Sequence, residues 1–145
     1  WVLLKSLETL DLRVRRACQN ALKVARFLES RAPGTLYPGL ESHPQHALAM
    51  AQMSAGGTII ALHLAGGRPQ AHGLLDALKL IDISNNLGDS RTLMTHPAST
   101  THASMAEAAR LEMGISEGTL RLSVGLEDAD DLIEDLDQAL RAIGL

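Results

Sequence analysis

Residues 114–136, GISEGTLRLSVGLEDADDLIEDL, contain the clearest fold signal in the sequence. Within the segment 118–124, apolar residues alternate with polar ones, which is the pattern of a strand with one buried face. The apolar residues are Leu120, Leu122 and Val124, so Arg121 lies on the opposite face of the strand. The stretch therefore predicts a strand followed by an acidic turn and a helix.

The helix after this strand is predicted from apolar residues three or four apart and from the charges at its ends. Acidic residues crowd its start and Arg141 lies near its end, a distribution that the helix dipole favours. Its apolar face consists of Leu132, Ile133, Leu136, Ala139, Leu140 and Ile143. We expect this face to pack against the sheet.

Strand and helix signals alternate irregularly along the rest of the chain. TIIALHLA at 58–65 lies between two glycine pairs and predicts a central strand, and residues 79–84 predict a second inner strand. Further short strands are predicted at 35–37 and 91–95, and short helices at 46–53, 69–78 and 105–113. Because this order lacks the rhythm of a doubly wound sheet, we predict an α+β fold. The expected sheet is mostly antiparallel, has three or four strands, and carries helices on one face.

A single long helix is predicted at residues 1–31, because apolar residues recur three or four apart and no proline or glycine precedes Pro33. At 1.5 Å per residue, roughly 30 residues form a rod of about 45 Å. A compact domain of this length has a diameter of only about 38 Å. One end of the helix should therefore extend beyond the domain, which we expect to comprise residues 34–145.

Composition and charge exclude several classes of function. The net charge is −4 and both signs are interspersed, so the chain lacks the basic surface of a nucleic-acid-binding protein. Aromatic residues make up 2% of the chain, too few for base-stacking platforms. No apolar run approaches the roughly 18 residues of a membrane span. The only cysteine, Cys18, excludes an internal disulfide. We expect a cytoplasmic protein that contacts neither nucleic acid nor membrane.

Motifs for a metal site or a nucleophilic enzyme are missing. The pairs His43/His46 and His96/His102 have neither a third ligand nearby nor an HExxH context. No serine stands in a GxSxG turn, and Cys18 lies on the predicted buried side of a helix, where a thiol is normally inert. The sequence therefore predicts no metal and no catalytic nucleophile.

Two places remain as candidate sites. The first is SNNLGDS at 84–90, a polar run after an apolar strand, in which asparagine and glycine suit unusual backbone angles. The second is Arg121, between the small residues Thr119 and Ser123, where a guanidinium is open to a carboxylate that it can bind through two hydrogen bonds. From these residues alone, an ordinary turn and a structural or solvent-facing arginine remain open as alternatives.

The same two places carry a resemblance to a known family. ISNNLGDSRTLMTHPASTTH at 83–102 and the stretch 114–136 resemble the carboxyl-terminal part of the Cys/Met-metabolism enzymes, which depend on pyridoxal 5'-phosphate (PLP). Residues 1–29 resemble the helix that leaves the cofactor domain of these enzymes, and YPGLESHPQHALAMAQM at 37–53 resembles the segment that follows. The resemblance covers essentially the whole chain.

This resemblance implies the small carboxyl-terminal domain of the fold-type-I PLP-dependent transferases, with residues 1–31 as its linking helix. Within the family, NNLGD and THPASTTH are most similar to the sulfhydrylases that make homocysteine from O-succinylhomoserine and sulfide in methionine biosynthesis. Many relatives have serine where Asn86 stands and methionine where Thr100 stands, which argues against a typical γ-lyase. Cystathionine γ-synthase, O-acetylhomoserine sulfhydrylase, a γ-lyase and a stand-alone, non-catalytic binding module are the alternatives.

The resemblance also implies roles for individual residues. Arg121 would bind the α-carboxylate of the amino-acid substrate, and Asn86 and Leu87 would line the pocket beside the cofactor. The family's PLP-bearing lysine lies in a Ser-x-Thr-Lys-like motif that this sequence does not contain. We therefore expect the chain to hold no PLP covalently and no catalytic residue, and to be inactive without an amino-terminal cofactor domain. The full-length enzyme is expected to be a homotetramer.

Overall fold

The computed structural model describes residues 1–145 as a five-stranded sheet with helices, which confirms the predicted α+β class. The strands are β1 (Thr35–Leu36), β2 (Ile59–His63), β3 (Asp82–Ile83), β4 (Leu93–Thr95) and β5 (Thr119–Ser123). The helices are α1 (Val2–Leu7), α2 (Leu10–Arg31), α3 (His46–Gln52), α4 (Gly67–Ala77), α5 (Glu107–Glu112) and α6 (Ala129–Ala142). A short 3-10 turn, Pro97–Ser99, follows β4.

The strand order is β1-β2-β5-β4-β3, so β5 is the central strand. The β1–β2, β2–β5 and β5–β4 pairs are antiparallel, whereas β3 and β4 are parallel. The prediction of three or four strands was wrong, since the sheet has five strands; three of its four strand pairs are antiparallel and one is parallel. Arg121 is the middle residue of β5 and pairs with Ala61 on one side and Thr95 on the other.

The hydrophobic core lies on one face of the sheet. Leu120, Leu122 and Val124 are buried there beside Ile60 and Leu62 of β2. The buried faces of α2, α4 and α6 complete the core with Ala21, Val24, Leu28, Leu74, Leu132, Leu136 and Leu140. Complete burial of an aliphatic side chain contributes roughly 1.5–3 kcal/mol. This burial fixes the register of β5 and turns its polar side chains away from the helices.

The first helix is not continuous, contrary to the prediction for residues 1–31. It breaks at Glu8 and Thr9, where the Arg13 guanidinium donates to the Ser6 carbonyl at 2.7 Å and to Thr9 Oγ1 at 3.2 Å. A carbonyl that an unbroken helix pairs with a backbone N–H is thus satisfied by a side chain. No residue of α1 is buried, so no packing holds α1 and α2 in one line. No helix of the chain is long and apolar enough to cross a membrane.

The segment 79–84 is not an inner strand, as its apolar residues had predicted. Only β3 joins the sheet, at its edge, and both residues of β3 are exposed. The backbone N–H groups of residues 79–81 donate instead to the carboxylate of Asp135 on α6, at 2.9, 2.9 and 3.0 Å. Donors that bond to a helix side chain cannot take part in a strand ladder.

The central strand begins at a close contact between two backbones. Leu64 N donates to Gly118 O at 2.9 Å, and a Cβ on Gly118 would lie 1.9 Å from the Leu64 carbonyl oxygen. Only glycine therefore fits at this position. The contact sets where β5 starts beside β2. It therefore also sets the position of Arg121 along the strand relative to β2.

Candidate functional site

Arg121 lies at the centre of the sheet, on the face that the helices leave open. Its Nη2 donates to the backbone carbonyls of Asn85 and Asn86, at 2.8 and 3.0 Å. Its Nε is buried and has no hydrogen-bond partner in the chain. Buried donors are nearly always paired in folded proteins, because an unpaired one costs about 1–3 kcal/mol. Arg110 Nε is likewise buried and unpaired, but Arg110 forms an ion pair with Glu117, whereas Arg121 has no carboxylate partner in the chain. The Arg121 guanidinium is therefore a candidate binding group for an acceptor outside the chain.

The loop 84–90 is held over the guanidinium by side chains of the sheet. The Thr95 hydroxyl donates to Asn85 Oδ1 at 2.9 Å, and Gly88 N donates to Ser123 Oγ at 3.0 Å. Gly88 has a φ of +76°, which glycine adopts without steric cost. Thr95 and Ser123 are both buried. The segment of the loop that faces the guanidinium is therefore anchored on both sides.

Asn86 and Leu87 lie at the exposed tip of this loop. The carbonyl of Asn86 accepts from Arg121, while its side-chain amide makes no hydrogen bond within the chain. Leu87 is 59% exposed. The structure thus places all three sequence-predicted site residues in one unit made of β5 and the loop above it.

Sequence reasoning missed Thr95, and it placed Asn85 in the candidate loop without a role in contacting Arg121. Thr95 is only 1% exposed, and its hydroxyl lies 3.0 Å from that of Thr100. Nothing in the local sequence RTLMT distinguishes a threonine that faces Arg121 from an ordinary strand residue. Only the pairing of β4 with β5 brings Thr95 beside the arginine. No local signal could have identified it.

A second polar cluster surrounds His96 beside the 3-10 turn. His96 Nε2 lies 2.8 Å from the Glu117 carbonyl oxygen, and Nδ1 lies 2.7 Å from Ser99 Oγ. Because a carbonyl only accepts, Nε2 carries the proton and Nδ1 accepts. His72 packs edge-on against the ring, with 4.8 Å between centroids. Burial lowers the pKa of His96, which favours the neutral imidazole, and the ring joins the 3-10 turn to Glu117, two residues before β5.

The remaining histidines and the cysteine form no reactive group. No three His, Cys, Asp or Glu side chains come together as metal ligands. His43 Nδ1 accepts from Gln45 N, and His46 Nδ1 contacts the Pro38 carbonyl, so both histidines take part in loop hydrogen bonds. Burial raises the pKa of the Cys18 thiol, which keeps it protonated and unreactive.

Comparison with known proteins gives one consistent family. A family model described as Cys/Met metabolism PLP-dependent enzyme matches residues 1–141. O-succinylhomoserine sulfhydrylase of Mycobacterium tuberculosis is 49% identical over 146 positions, which cover 97% of this chain and 36% of that protein. L-methionine γ-lyase of Pseudomonas putida is 47% identical over 143 positions, which cover 97% and 36%. Cystathionine γ-lyase of Bacillus subtilis is 44% identical over 145 positions, which cover 99% and 38%.

The fold is also found in a solved structure described as an O-acetylhomoserine (thiol)-lyase from Campylobacter jejuni. The two superpose with a TM-score of 0.92 at 41% sequence identity, over 97% of this chain and 34% of that chain. That structure carries a pyridoxyl-lysine phosphate. The present chain spans about a third of the length of each of these relatives.

Proposed function

The chain belongs to the family of Cys/Met metabolism PLP-dependent enzymes, and from this premise we propose that it is the carboxyl-terminal domain of an O-succinylhomoserine sulfhydrylase. Such an enzyme forms homocysteine from O-succinylhomoserine and sulfide. In this proposal residues 1–31 connect to an amino-terminal cofactor domain, and residues 34–145 form the domain that binds the substrate carboxylate. The observation that supports carboxylate binding is the Arg121 guanidinium, which two loop carbonyls orient and which has no carboxylate partner within the chain.

Arg121 is suited to bind the α-carboxylate of an amino acid. Its Nη2 is already bonded to two backbone carbonyls, while Nε has no partner within the chain. A substrate carboxylate that accepts from the unpaired N–H groups of the guanidinium would form charge-assisted hydrogen bonds, each of which contributes about 1.5–3 kcal/mol. Because the carbonyls orient the guanidinium before the substrate arrives, little side-chain entropy is lost on binding. The bound substrate is then held in one orientation for reaction at its α-carbon.

Asn86 and Leu87 would line the same pocket. The Asn86 amide is free to donate or accept a hydrogen bond, and Leu87 offers an exposed apolar surface next to it. By the family resemblance, Asn86 stands where many members carry serine, and Thr100 stands where many carry methionine. This departure argues against a typical γ-lyase and in that way supports the proposed sulfhydrylase.

The residues of this chain do not by themselves fit a covalently held PLP. Lys5 on α1 forms an ion pair with Glu8 just after that helix, and Lys23 on α2 forms one with Asp130 on α6. The third lysine, Lys79, lies in the turn that is bonded to α6, on the helical side of the sheet. No lysine is therefore among the residues that contact Arg121. When bound, PLP withdraws electrons from the α-carbon of the substrate, and we assign its attachment to the amino-terminal domain.

A γ-lyase is the second candidate, because L-methionine γ-lyase of Pseudomonas putida is nearly as similar to this chain as the sulfhydrylase is. The two functions differ in the substrate that is consumed. A sulfhydrylase replaces the γ-acyloxy group of an activated homoserine, which leaves as the carboxylate, by sulfide, whereas a γ-lyase degrades a sulfur amino acid. Activity measurements can therefore distinguish the two.

The experiment is a substrate panel with the PLP-loaded enzyme that contains these residues. O-succinylhomoserine and O-acetylhomoserine are each supplied with sulfide, and L-methionine and L-cystathionine are supplied alone. We expect homocysteine from O-succinylhomoserine, with kcat/KM at least about tenfold above that for the acetyl ester. Preferential release of methanethiol from L-methionine would establish the γ-lyase instead. Failure to turn over any substrate would favour a non-catalytic binding module.

We further propose that the enzyme is a cytoplasmic homotetramer. The single cysteine is buried and unpaired, which fits a reducing compartment. Trp1, Leu3 and Leu7 are 88%, 84% and 60% exposed, and an apolar surface of this kind is typical of a region that contacts other protein. Light scattering of the purified enzyme should give four times the mass of one chain, and a monomeric mass would contradict the proposal.

A further inference from the structure

We propose that Thr95 is a positioning residue for Arg121: its hydroxyl fixes the loop whose backbone carbonyls orient the guanidinium. The inference rests on the proposed function, because it concerns the affinity of the carboxylate site. Thr95 itself would not touch the substrate. Its effect would pass through Asn85, whose side chain bonds to Thr95 and whose carbonyl bonds to Arg121.

The register of the sheet places Thr95 beside Arg121. The two are direct cross-strand partners in the antiparallel β4–β5 pair, so their side chains project from the same face. Thr95 is 1% exposed, and its Oγ1 lies 2.9 Å from Asn85 Oδ1 and 3.0 Å from Thr100 Oγ1. Because an amide oxygen and a backbone carbonyl only accept, Thr95 Oγ1 donates to Asn85 Oδ1, and Thr100 Oγ1 donates to the His96 carbonyl at 2.8 Å.

The bond to Thr95 is the only hydrogen bond that the Asn85 side chain makes within the chain. On the other side of the loop, Gly88 N donates to the buried hydroxyl of Ser123, two residues beyond Arg121 on the same strand. The two carbonyls that accept from Nη2 lie between these anchors. Thr95 and Ser123 are therefore the side chains of the sheet that hold the carbonyls in place, and Ser84 Oγ within the loop also accepts from Asn86 N at 3.3 Å.

A loss of the Thr95 hydroxyl should act on the loop and not on the core. Residues 85–90 are all exposed, so little apolar burial keeps the loop in its conformation. Segments with little burial open at low free-energy cost when a tether is removed. The guanidinium would then sample more orientations, and the carboxylate would bind less tightly because its partner must be ordered on binding.

The test is a substitution in the PLP-loaded enzyme that contains these residues. Thr95→Val removes the hydroxyl at nearly constant volume, and we expect KM for O-succinylhomoserine to rise about fivefold, the loss of roughly one neutral hydrogen bond. We expect kcat to change less than twofold, because Arg121 holds the carboxylate equally before and during the reaction. Thr95→Ser keeps the hydroxyl and removes only the methyl group, so KM should stay within twofold of that of the parent enzyme. An unchanged KM in Thr95→Val would overturn the inference.

Thr92→Val is the matched control. Thr92 is also 1% exposed, but its hydroxyl bonds to Glu127 and accepts from Gly125 N, with no contact to the loop over Arg121. Both valine variants remove a buried hydroxyl, so both should lower the melting temperature of the enzyme. Only Thr95→Val should raise KM. An equal rise in both variants would mean general destabilisation and would overturn a positioning role.

A double-mutant cycle separates this inference from the proposed function. In an Arg121→Ala background, Thr95→Val should raise KM no further, because the group that it positions is gone. A further fivefold rise in that background would mean that Thr95 acts independently of Arg121. If Arg121→Ala alone leaves KM unchanged, the proposed carboxylate site itself is wrong. If Arg121→Ala raises KM and Thr95→Val does not, only the positioning role fails.

Discussion

The guanidinium of Arg121 is oriented by backbone carbonyls and has no carboxylate partner within the chain. Arg31 and Arg110, by comparison, each form an ion pair with an acidic residue. Carbonyl oxygens fix the direction of a cation without cancelling its charge. The full charge of Arg121 therefore remains available to an anion, as a substrate-binding arginine requires.

The carboxylate of Asp135 has the opposite role, because its acceptors are saturated by the protein. It accepts from the backbone N–H groups of residues 79–81 and from the Gln138 side chain. Asp135→Ala would leave three backbone donors without a partner and should lower the free energy of unfolding by about 3 kcal/mol. Urea unfolding of the chain, followed by circular dichroism, measures this loss.

Glu134→Gln is the control for the Asp135 variant. Glu134 precedes Asp135 on α6, is exposed, and makes no hydrogen bond to the rest of the chain. Surface substitutions of this kind change stability by less than about 0.5 kcal/mol. If Asp135→Ala destabilised the chain no more than Glu134→Gln does, the N–H groups of residues 79–81 would not depend on Asp135.

At the scale of elements, the sequence predicted β5 and α6 well because their signals are local. Alternating apolar residues define the buried face of β5, and the Asp128 side chain accepts from Asp130 N at the start of α6. Strand β2 and helix α4 were also predicted within two residues at each end. Elements whose pattern and termini are encoded by neighbouring residues can be located from one sequence.

The elements that sequence reasoning misplaced depend on a distant or competing side chain. Residues 79–81 have the apolar composition of a strand, but a carboxylate more than fifty residues later takes their donors. The break between α1 and α2 depends on Arg13, whose guanidinium competes for a helical carbonyl. Hydrophobic periodicity contains no information on either contact, so it predicted an inner strand and an unbroken helix.

The candidate site shows the same division. Alternation in β5 placed Arg121 on the open face, and the family resemblance pointed to Asn86 and Leu87. The contacts of Asn85 and Thr95 follow from strand register and from the path of the loop, which no local pattern specifies. The sequence thus predicted that Arg121 is a candidate binding residue. It did not predict the groups that orient the guanidinium of Arg121.

At the scale of the whole molecule, the two faces of the sheet have different roles. The helical face holds the core and sets the register of β5, while the open face carries Arg121 and the loop above it. Burial of the apolar side chains on the helical face fixes the register of β5. This register in turn positions the polar side chains on the open face. This division agrees with the proposed role, in which this domain would bind the substrate carboxylate and an amino-terminal domain would hold the cofactor.

The pH dependence of stability should reflect two partly or fully buried histidines, His63 and His96. Burial lowers the pKa of both below the ordinary value of about 6.5. Since the unfolded chain binds these protons more readily, stability is complete above that value and falls as the pH drops below it. Thermal unfolding of the chain should show a lower melting temperature at pH 5.5 than at pH 7.5.

His96→Asn should reduce this pH dependence, because asparagine takes up no proton. The carboxylates with a lowered pKa, Asp89 and Glu117, lose their contribution only at more acidic pH, so they do not produce the effect between pH 7.5 and 5.5. A melting temperature that increased on acidification through this range would contradict the burial of neutral histidines in the folded state.

The most direct test of the central claim is the KM for O-succinylhomoserine of Arg121→Ala, measured in the PLP-loaded enzyme against an Arg91→Ala control. Arg91 is an exposed arginine that pairs with Asp82 at the edge of the sheet. If Arg121 binds the substrate carboxylate, its removal should raise KM about 10- to 100-fold, while the control stays within twofold of the parent. An Arg121→Ala enzyme with the KM and kcat of the parent would show that the carboxylate is bound elsewhere.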